Sequence, residues 1–246
     1  SELCVMLNRF KSLSMNLGHY FRRNAESACC DWLSMSGPFS RKFGLDRGAA
    51  IDRRFMDDFL TYYGDSIHGR VLEIGDDRYT YKYGKNLAAT AILAGSDRST
   101  RSKCYPNGDL ADGLTLSNLG KYDCVIATNV LNFIFDCHSA VKGLAGLVEP
   151  ENGSVLATAA GLVPVSRFDY ERWGDYWRFN DMSVRRLFEA YFERVQVRAY
   201  GNAPLAAAFI MGLSEQDVPG SLFERYDADY QILISVKASH PKVIAE

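Results

Sequence analysis

Apolar and polar positions alternate in a regular order along most of this chain of 246 residues. Val71-Leu72-Glu73-Ile74 is a short apolar run, partly β-branched, that ends at Gly75; it predicts a buried strand. Ala88 to Ala94 predicts a second strand, with Gly95-Ser96-Asp97 at its exit. Tyr122 to Thr128 predicts a third, with Asn129 at its carboxyl end, and Ser154 to Ala159 a fourth. Between these two, Val130, Leu131, Ile134 and Phe135 lead into a helix through Leu147, closed by Glu149-Pro150-Glu151-Asn152-Gly153. Upstream, Ile51, Phe55, Phe59, Leu60 and Tyr63 share one face of a helix that Gly64 ends. Downstream, Ser183 to Phe192 predicts a helix with Asp181 as its N-cap. Val195 to Tyr200 alternates as a strand, Ala203 to Leu213 is apolar and helical, and Tyr230 to Val236 is a last strand. Leu3 to Phe21 carries a rough helical spacing, so residues 1–37 read as a mildly basic packing helix or lid, or alternatively as a partner-binding or membrane-surface helix.

Strand, helix and strand alternate from residue 70 to 160, the mark of βαβ units and a parallel sheet. The expected fold class is α/β: a Rossmann-like doubly wound sheet, mostly parallel, with an antiparallel C-terminal hairpin and an N-terminal helical extension. The expected division is residues 1–66, extension and Arg-rich loop, and residues 67–246, the α/β domain. Right-handed crossovers place every parallel strand's carboxyl end on one rim. Glu73, Gly75, Asp97, Asp109 and Asn129 would line it. Ligands of such sheets sit at that rim, where glycine lets backbone approach and an acid accepts hydrogen bonds.

Composition adds exclusions. The apolar share is 47%, the charged share 24% and the net charge -2, which advertises neither nucleic acid nor an anionic membrane as partner. No apolar run approaches the roughly 20 residues a membrane span needs, and the N-terminus shows no clean signal pattern. Six cysteines lie scattered without CxxC spacing, as in a reduced cytoplasmic protein, with Cys124 read as a buried thiol. No metal-ligand spacing and no Ser/His/Asp arrangement stands out.

Three stretches carry candidate chemistry. In residues 39–54, Arg41, Lys42, Arg47, Arg53 and Arg54 surround two glycines and can clamp a phosphate or carboxylate; Asp46 and Asp52 can instead neutralise them. Tyr79, Tyr81 and Tyr83 alternate, and serve equally as a stacking pocket or as packing. Residues 167–180 crowd aromatic rings among charges. There Trp173, Tyr176 and Trp177 suit sugar stacking, Arg178 suits an anionic group, and Asp175 and Tyr176 are catalytic candidates. His138 is a further candidate general base, or a plain surface histidine.

In this order the segments resemble the class I, S-adenosylmethionine-dependent methyltransferases over about residues 67–237. Val71-Leu72-Glu73-Ile74-Gly75 is similar to that family's first motif, Tyr122 to Asp136 to its fourth-strand motif, and Leu147 to Leu156 to the turn before its fifth strand. Asp175-Tyr176-Trp177-Arg178-Phe179-Asn180 resembles a segment of methyltransferase-like proteins from glycan and secondary-metabolite gene sets. The resemblance implies S-adenosylmethionine as cofactor, held by Glu73, Gly75, Asp77, Tyr79, Asp97, Asp109 and Asn129. In that set Asp109 flanks the adenine and Asp97 stands nearest the acid that holds the ribose. It implies methyl transfer to a small-molecule or sugar-containing acceptor; Arg47, Asp52, Arg53, Trp173, Trp177 and Arg178 are the candidate substrate-binding residues from their own chemistry. The family's second and third motif glycines are here Asp77 and Tyr79, so a tyrosine ring stands where glycine lets the backbone wrap the cofactor. The alternative is a member of the fold that does not methylate. Its rim would serve a nucleotide sugar in glycosyl transfer, or it would be a non-catalytic partner in a sugar-modifying pathway.

Overall fold

The computed structural model describes residues 35–93 and 102–243. The chain divides into two units, Ser1–Pro38 and Phe39–Glu246. Nearly all of the N-terminal helical reading, and the exit of the second strand with Asp97, lie outside the described residues. The second unit holds the sheet and everything discussed below. Among the described residues no helix is long and apolar enough to cross a membrane.

The sheet has seven strands: β1 (Gly69–Ile74), β2 (Leu87–Leu93), β3 (Lys103–Tyr105), β4 (Cys124–Thr128), β5 (Ser154–Ala160), β6 (Phe192–Tyr200) and β7 (Leu233–Pro241). Their order is β3-β2-β1-β4-β5-β7-β6. The first five run parallel, and β7 pairs antiparallel with both β5 and β6. The order reverses between β1 and β4, the switch point where open α/β sheets form a crevice.

The apolar runs are continuous because both faces of the sheet are covered. Val71, Cys124, Ile126 and Leu156 pack under helix α1 (Ile51–Tyr62) and a later apolar helix (Ala203–Ile210). Leu72, Val125, Ala127 and Val155 face the opposite layer, built from Cys137–Leu147 and Asp181–Glu189. In chain order the helices are α1, α2 (Arg78–Tyr83), α3 (Gly113–Leu116), α4 (Cys137–Leu147), α5 (Arg167–Tyr170), α6 (Asp181–Glu189) and α7 (Ala203–Ile210). Cys124 is buried as expected, and burial pushes its thiol up to about 12.

Several local readings are corrected. Strand β3 was not expected: it is three residues long, pairs only with β2 and has no apolar run. The helix expected to follow Val130 directly starts at Cys137, after a 3-10 turn at Leu131–Phe133, because Asp136 takes the N-cap and accepts from Ser139 N at 3.0 Å. The cap of α6 is Asn180 rather than Asp181. Asn180 Oδ1 accepts from Ser183 N at 2.8 Å, and Ser183 Oγ accepts from Asn180 N at 3.0 Å, a reciprocal capping box. The last strand begins at Leu233 and runs on to Pro241, past the expected end at Val236.

Candidate functional site

A cavity of about 500 Å³ opens at the carboxyl ends of β1 and β4. Of the residues singled out from sequence, Asp52, Arg53, Glu73, Gly75, Tyr79, Asn129, Asp175 and Arg178 meet on its wall.

The floor comes from β1. Gly75 leaves the strand with φ +90° and hydrogen-bonds through its N–H to Leu93 O at 2.9 Å. No atom lies within 4 Å of where a Cβ would sit on it, so the backbone faces open space. Glu73 is 2% exposed, and its carboxylate is taken by the start of α2. Oε1 accepts from Tyr79 N at 3.2 Å, and Oε2 accepts from Thr80 N and Thr80 Oγ1, both at 2.7 Å. Burial outweighs these donors and raises its pKa to about 7. Glu73 therefore shapes the loop, and Thr80, not foreseen from sequence, is its main partner.

The three tyrosines do not form an open stacking pocket: Tyr79 and Tyr83, one turn apart on α2, stack on each other with ring centroids 6.2 Å apart. Tyr79 is 5% exposed and turns inward under α1, its hydroxyl 3.3 Å from Met56 Sδ. Tyr83 donates to Asp57 at 2.5 Å, and Tyr81 pairs with Thr90 Oγ1 at 2.9 Å. The ring that stands in place of a motif glycine thus packs in the layer under α1, and Tyr79 also borders the cavity.

Helix α1 supplies the second wall. Asp52, in its first turn, is 7% exposed and accepts from Asn129 Nδ2 at 3.1 Å. Burial raises the Asp52 pKa against the opposing charge of Arg53 and the bond from Asn129. Asn129 holds a left-handed backbone (φ 51°), and its N–H donates to Thr158 O at 2.9 Å. Its Oδ1 accepts from Thr158 Oγ1 at 3.1 Å, so β5 fixes the side chain that fixes Asp52. Arg53 Nη1 donates to Tyr79 OH at 3.0 Å. Burial works against its charge, but Asp52 and the Tyr79 hydroxyl outweigh that, so its pKa is raised. No carboxylate of the described residues comes within ion-pair distance of this guanidinium.

A strap over residues 162–179 makes the third wall. Arg178 grips Asp175 through Nη1 at 2.5 Å and Nη2 at 2.8 Å, and also donates to Val163 O and Pro164 O. Asp175 Oδ2 accepts from Ser166 N at 2.9 Å. Burial pushes the Asp175 pKa up, but Arg178 and Ser166 more than offset it, so the carboxyl stays below its ordinary range. This pair clasps the strap, which makes Asp175 a poor base and leaves Arg178 little capacity for a ligand. The strap docks on the turn after β4: Asn132 O accepts from Tyr176 N at 2.8 Å and from Trp177 N at 3.3 Å. Asn132, absent from the sequence candidates, lines the cavity and is 4% exposed. Its Oδ1 is the one buried side-chain atom of the described residues without a hydrogen-bond partner. A polar residue inside the apolar run Val130 to Ile134 was the signal for it.

The remaining candidates lie off the cavity wall. Arg47 is bound bidentately to Asp217 at 2.8 and 2.9 Å. Asp77 accepts from Ser102 Oγ at 2.8 Å. Asp109 is exposed and organises its own turn, accepting from Ala111 N at 2.8 Å. His138 is exposed on α4, 3.4 Å from Tyr191 OH. Trp173, Tyr176 and Trp177 sit on the outer face of the strap, where Tyr176 and Trp177 pack against Phe135 with ring centroids 5.4 and 5.6 Å apart.

No family model matches the chain, and no curated protein does. Among solved structures it is similar to the N-methyltransferase NodS from Bradyrhizobium japonicum WM9 in complex with S-adenosyl-l-homocysteine. That likeness has 13% identity, covers 84% of this chain and 94% of that one, and has a TM-score of 0.50. A SAM dependent methyltransferase from Archaeoglobus fulgidus is similar at 12% identity, with 77% and 94% of the two chains covered and a TM-score of 0.49. At such identities a likeness concerns the fold, and with the strand order it gives one conclusion: this chain has the Rossmann-like fold of the class I methyltransferases.

Proposed function

We propose that the chain is an S-adenosylmethionine-dependent methyltransferase acting on a small-molecule or sugar-containing acceptor. The observation that carries this reading is Gly75: a left-handed glycine at the exit of β1, with open space over its backbone, at the switch point of a methyltransferase-type sheet. The described residues fit the cofactor. The cavity volume lies within the roughly 300–1,000 Å³ of small-molecule sites, and Gly75 leaves a cradle that a side chain would fill. Arg53 offers a guanidinium, unpaired with any described carboxylate, to a single carboxylate such as that of the methionine moiety. When bound, the cofactor supplies a sulfonium methyl group for in-line displacement.

The chain's own work is positioning and proton handling. Arg53, Gly75 and the amides that follow it hold one reactant. The clasped strap and the turn after β4 wall off the other from water. Of the titratable groups on the wall, Asp52 is best suited to take up the acceptor's proton, since burial holds its pKa up and Asn129 fixes its carboxylate. Asp175 is tied to Arg178, and His138 lies off the wall.

A nucleotide-sugar site is less well supported. Arg47 is bound to Asp217 and Arg54 to Glu215, which leaves Arg53 alone of that loop's arginines on the cavity. One guanidinium suits a carboxylate better than a diphosphate. Calorimetry with S-adenosylmethionine, S-adenosylhomocysteine and a set of nucleotide sugars tests the reading. Saturable binding of both adenosyl ligands is expected, and a folded chain that binds neither would sink it.

A further inference from the structure

We infer that Asn132 is the recognition point for a hydroxyl or amino group of the methyl acceptor, which donates a hydrogen bond to Asn132 Oδ1. The inference rests on the methyltransferase reading for the word acceptor; the site itself stands on geometry.

Asn132 is held from three sides. It belongs to the 3-10 turn Leu131–Phe133 after β4, which fixes its backbone. Its carbonyl receives the N–H groups of Tyr176 and Trp177 from the strap. Its side chain lies beside Asp175 and helps to favour that carboxylate's charged form. Oδ1 is buried and accepts no hydrogen bond from any described residue.

A buried amide oxygen without a partner is a standing cost to the folded chain. Asn132 is part of the cavity wall, and the last torsion of an asparagine is broad and soft, so a small turn presents Oδ1 to a molecule inside. What the oxygen lacks is a donor, which defines the ligand chemistry as an O–H or N–H. The neighbouring charges agree. Asp175, the charge beside Asn132, is already neutralised by Arg178, so at this point a group is recognised by its hydrogen rather than by a charge at Asp175.

The test uses the full chain, nitrogen-labelled, and follows the Asn132 side-chain amide signals by NMR. The probes are ethylene glycol, ethanolamine and the dimethyl ether of ethylene glycol, which has the same skeleton and no donor. Saturable displacement by a donor-bearing probe and none by the ether is expected. Displacement by the glycol identifies a hydroxyl, and displacement by ethanolamine alone an amine. Equal displacement by the ether means simple filling of the cavity, and no displacement by any probe means no subsite; either result overturns the inference. Asn132→Leu is the second arm. It should bind S-adenosylhomocysteine as the parent does, melt close to the parent, and lose the probe-induced shifts at Phe133. A sharply lower melting temperature would make the amide structural and overturn the inference as well. If the parent chain fails to bind S-adenosylhomocysteine, the methyltransferase reading fails, while the probe titration still decides the subsite.

Discussion

Arg53 Nη1 and the Tyr79 hydroxyl meet at 3.0 Å, joining helix α1 to the loop that leaves β1. The contact explains how a tyrosine is tolerated where the fold's first motif has glycine. The ring faces inward, and its hydroxyl orients the guanidinium beside the cavity. Tyr79→Phe removes the hydroxyl and keeps the ring. It should lower stability by about 1 kcal/mol, the net worth of one hydrogen bond, and weaken S-adenosylhomocysteine binding more than that by loosening Arg53. Thermal melts and calorimetry on the same samples check both. Tyr79→Gly, which restores the motif, should cost about 3–5 kcal/mol through the cavity it opens under α1.

Arg53 and Arg47 belong to one loop and one helix start, yet different outcomes are expected of them. Arg53→Ala should weaken binding of the adenosyl ligands tenfold or more, equivalent to about 1.4 kcal/mol. Arg47→Ala breaks an exposed pair with Asp217 away from the cavity and should leave affinity and melting temperature nearly unchanged. Equal losses of affinity in the two variants would place the ligand outside this cavity.

Glu73 gives a pH signature. Its pKa rises from 4.5 to about 7 on folding, so the folded chain keeps a proton that the unfolded chain releases. The stability it contributes is fully present below 4.5 and is lost as pH rises through about 7. The full span amounts to about 3 kcal/mol. Denaturant titrations of the parent and of Glu73→Gln across this window should differ in slope, the parent losing stability toward neutrality and the variant losing less. Parallel curves would show that the donors at Tyr79 and Thr80 hold Glu73 ionised throughout.

The Asp175–Arg178 clasp should govern the strap rather than the chemistry. Asp175→Asn removes the charge from a carboxylate that is 1% exposed in its side chain and should cost about 2 kcal/mol. Limited proteolysis should then cut within residues 162–179 before it cuts the sheet. A variant that stays protected but loses ligand binding would instead return Asp175 to a direct role.

The strands that carry the site were legible because each is apolar on both faces. Val71 to Ile74, Tyr122 to Thr128 and Ser154 to Ala159 are such runs, and only a sheet covered by helices on both sides demands them. Strand β3 was not legible, since Lys103, Cys104 and Tyr105 form a strand only because β2 is there to pair with. The cap of α6 went to Asn180 rather than Asp181 because the reciprocal bond with Ser183 decides, and composition alone ranks the two residues nearly alike.

The site divides the same way. Local sequence determined the covered sheet, the glycine exit at Gly75 and the acid at Glu73, because backbone geometry and burial periodicity are properties of neighbouring residues. Tertiary structure decided which charges are spent and which remain. Arg47, Arg178 and Asp175 are neutralised by partners, Glu73 is bound to α2, and Arg53 and Asn132 are left facing the cavity with capacity to spare. A side chain's free hydrogen-bonding capacity depends on residues far away in the chain, as Asp217 is from Arg47. That difference between what is present and what is already paired exists only once the chain has folded.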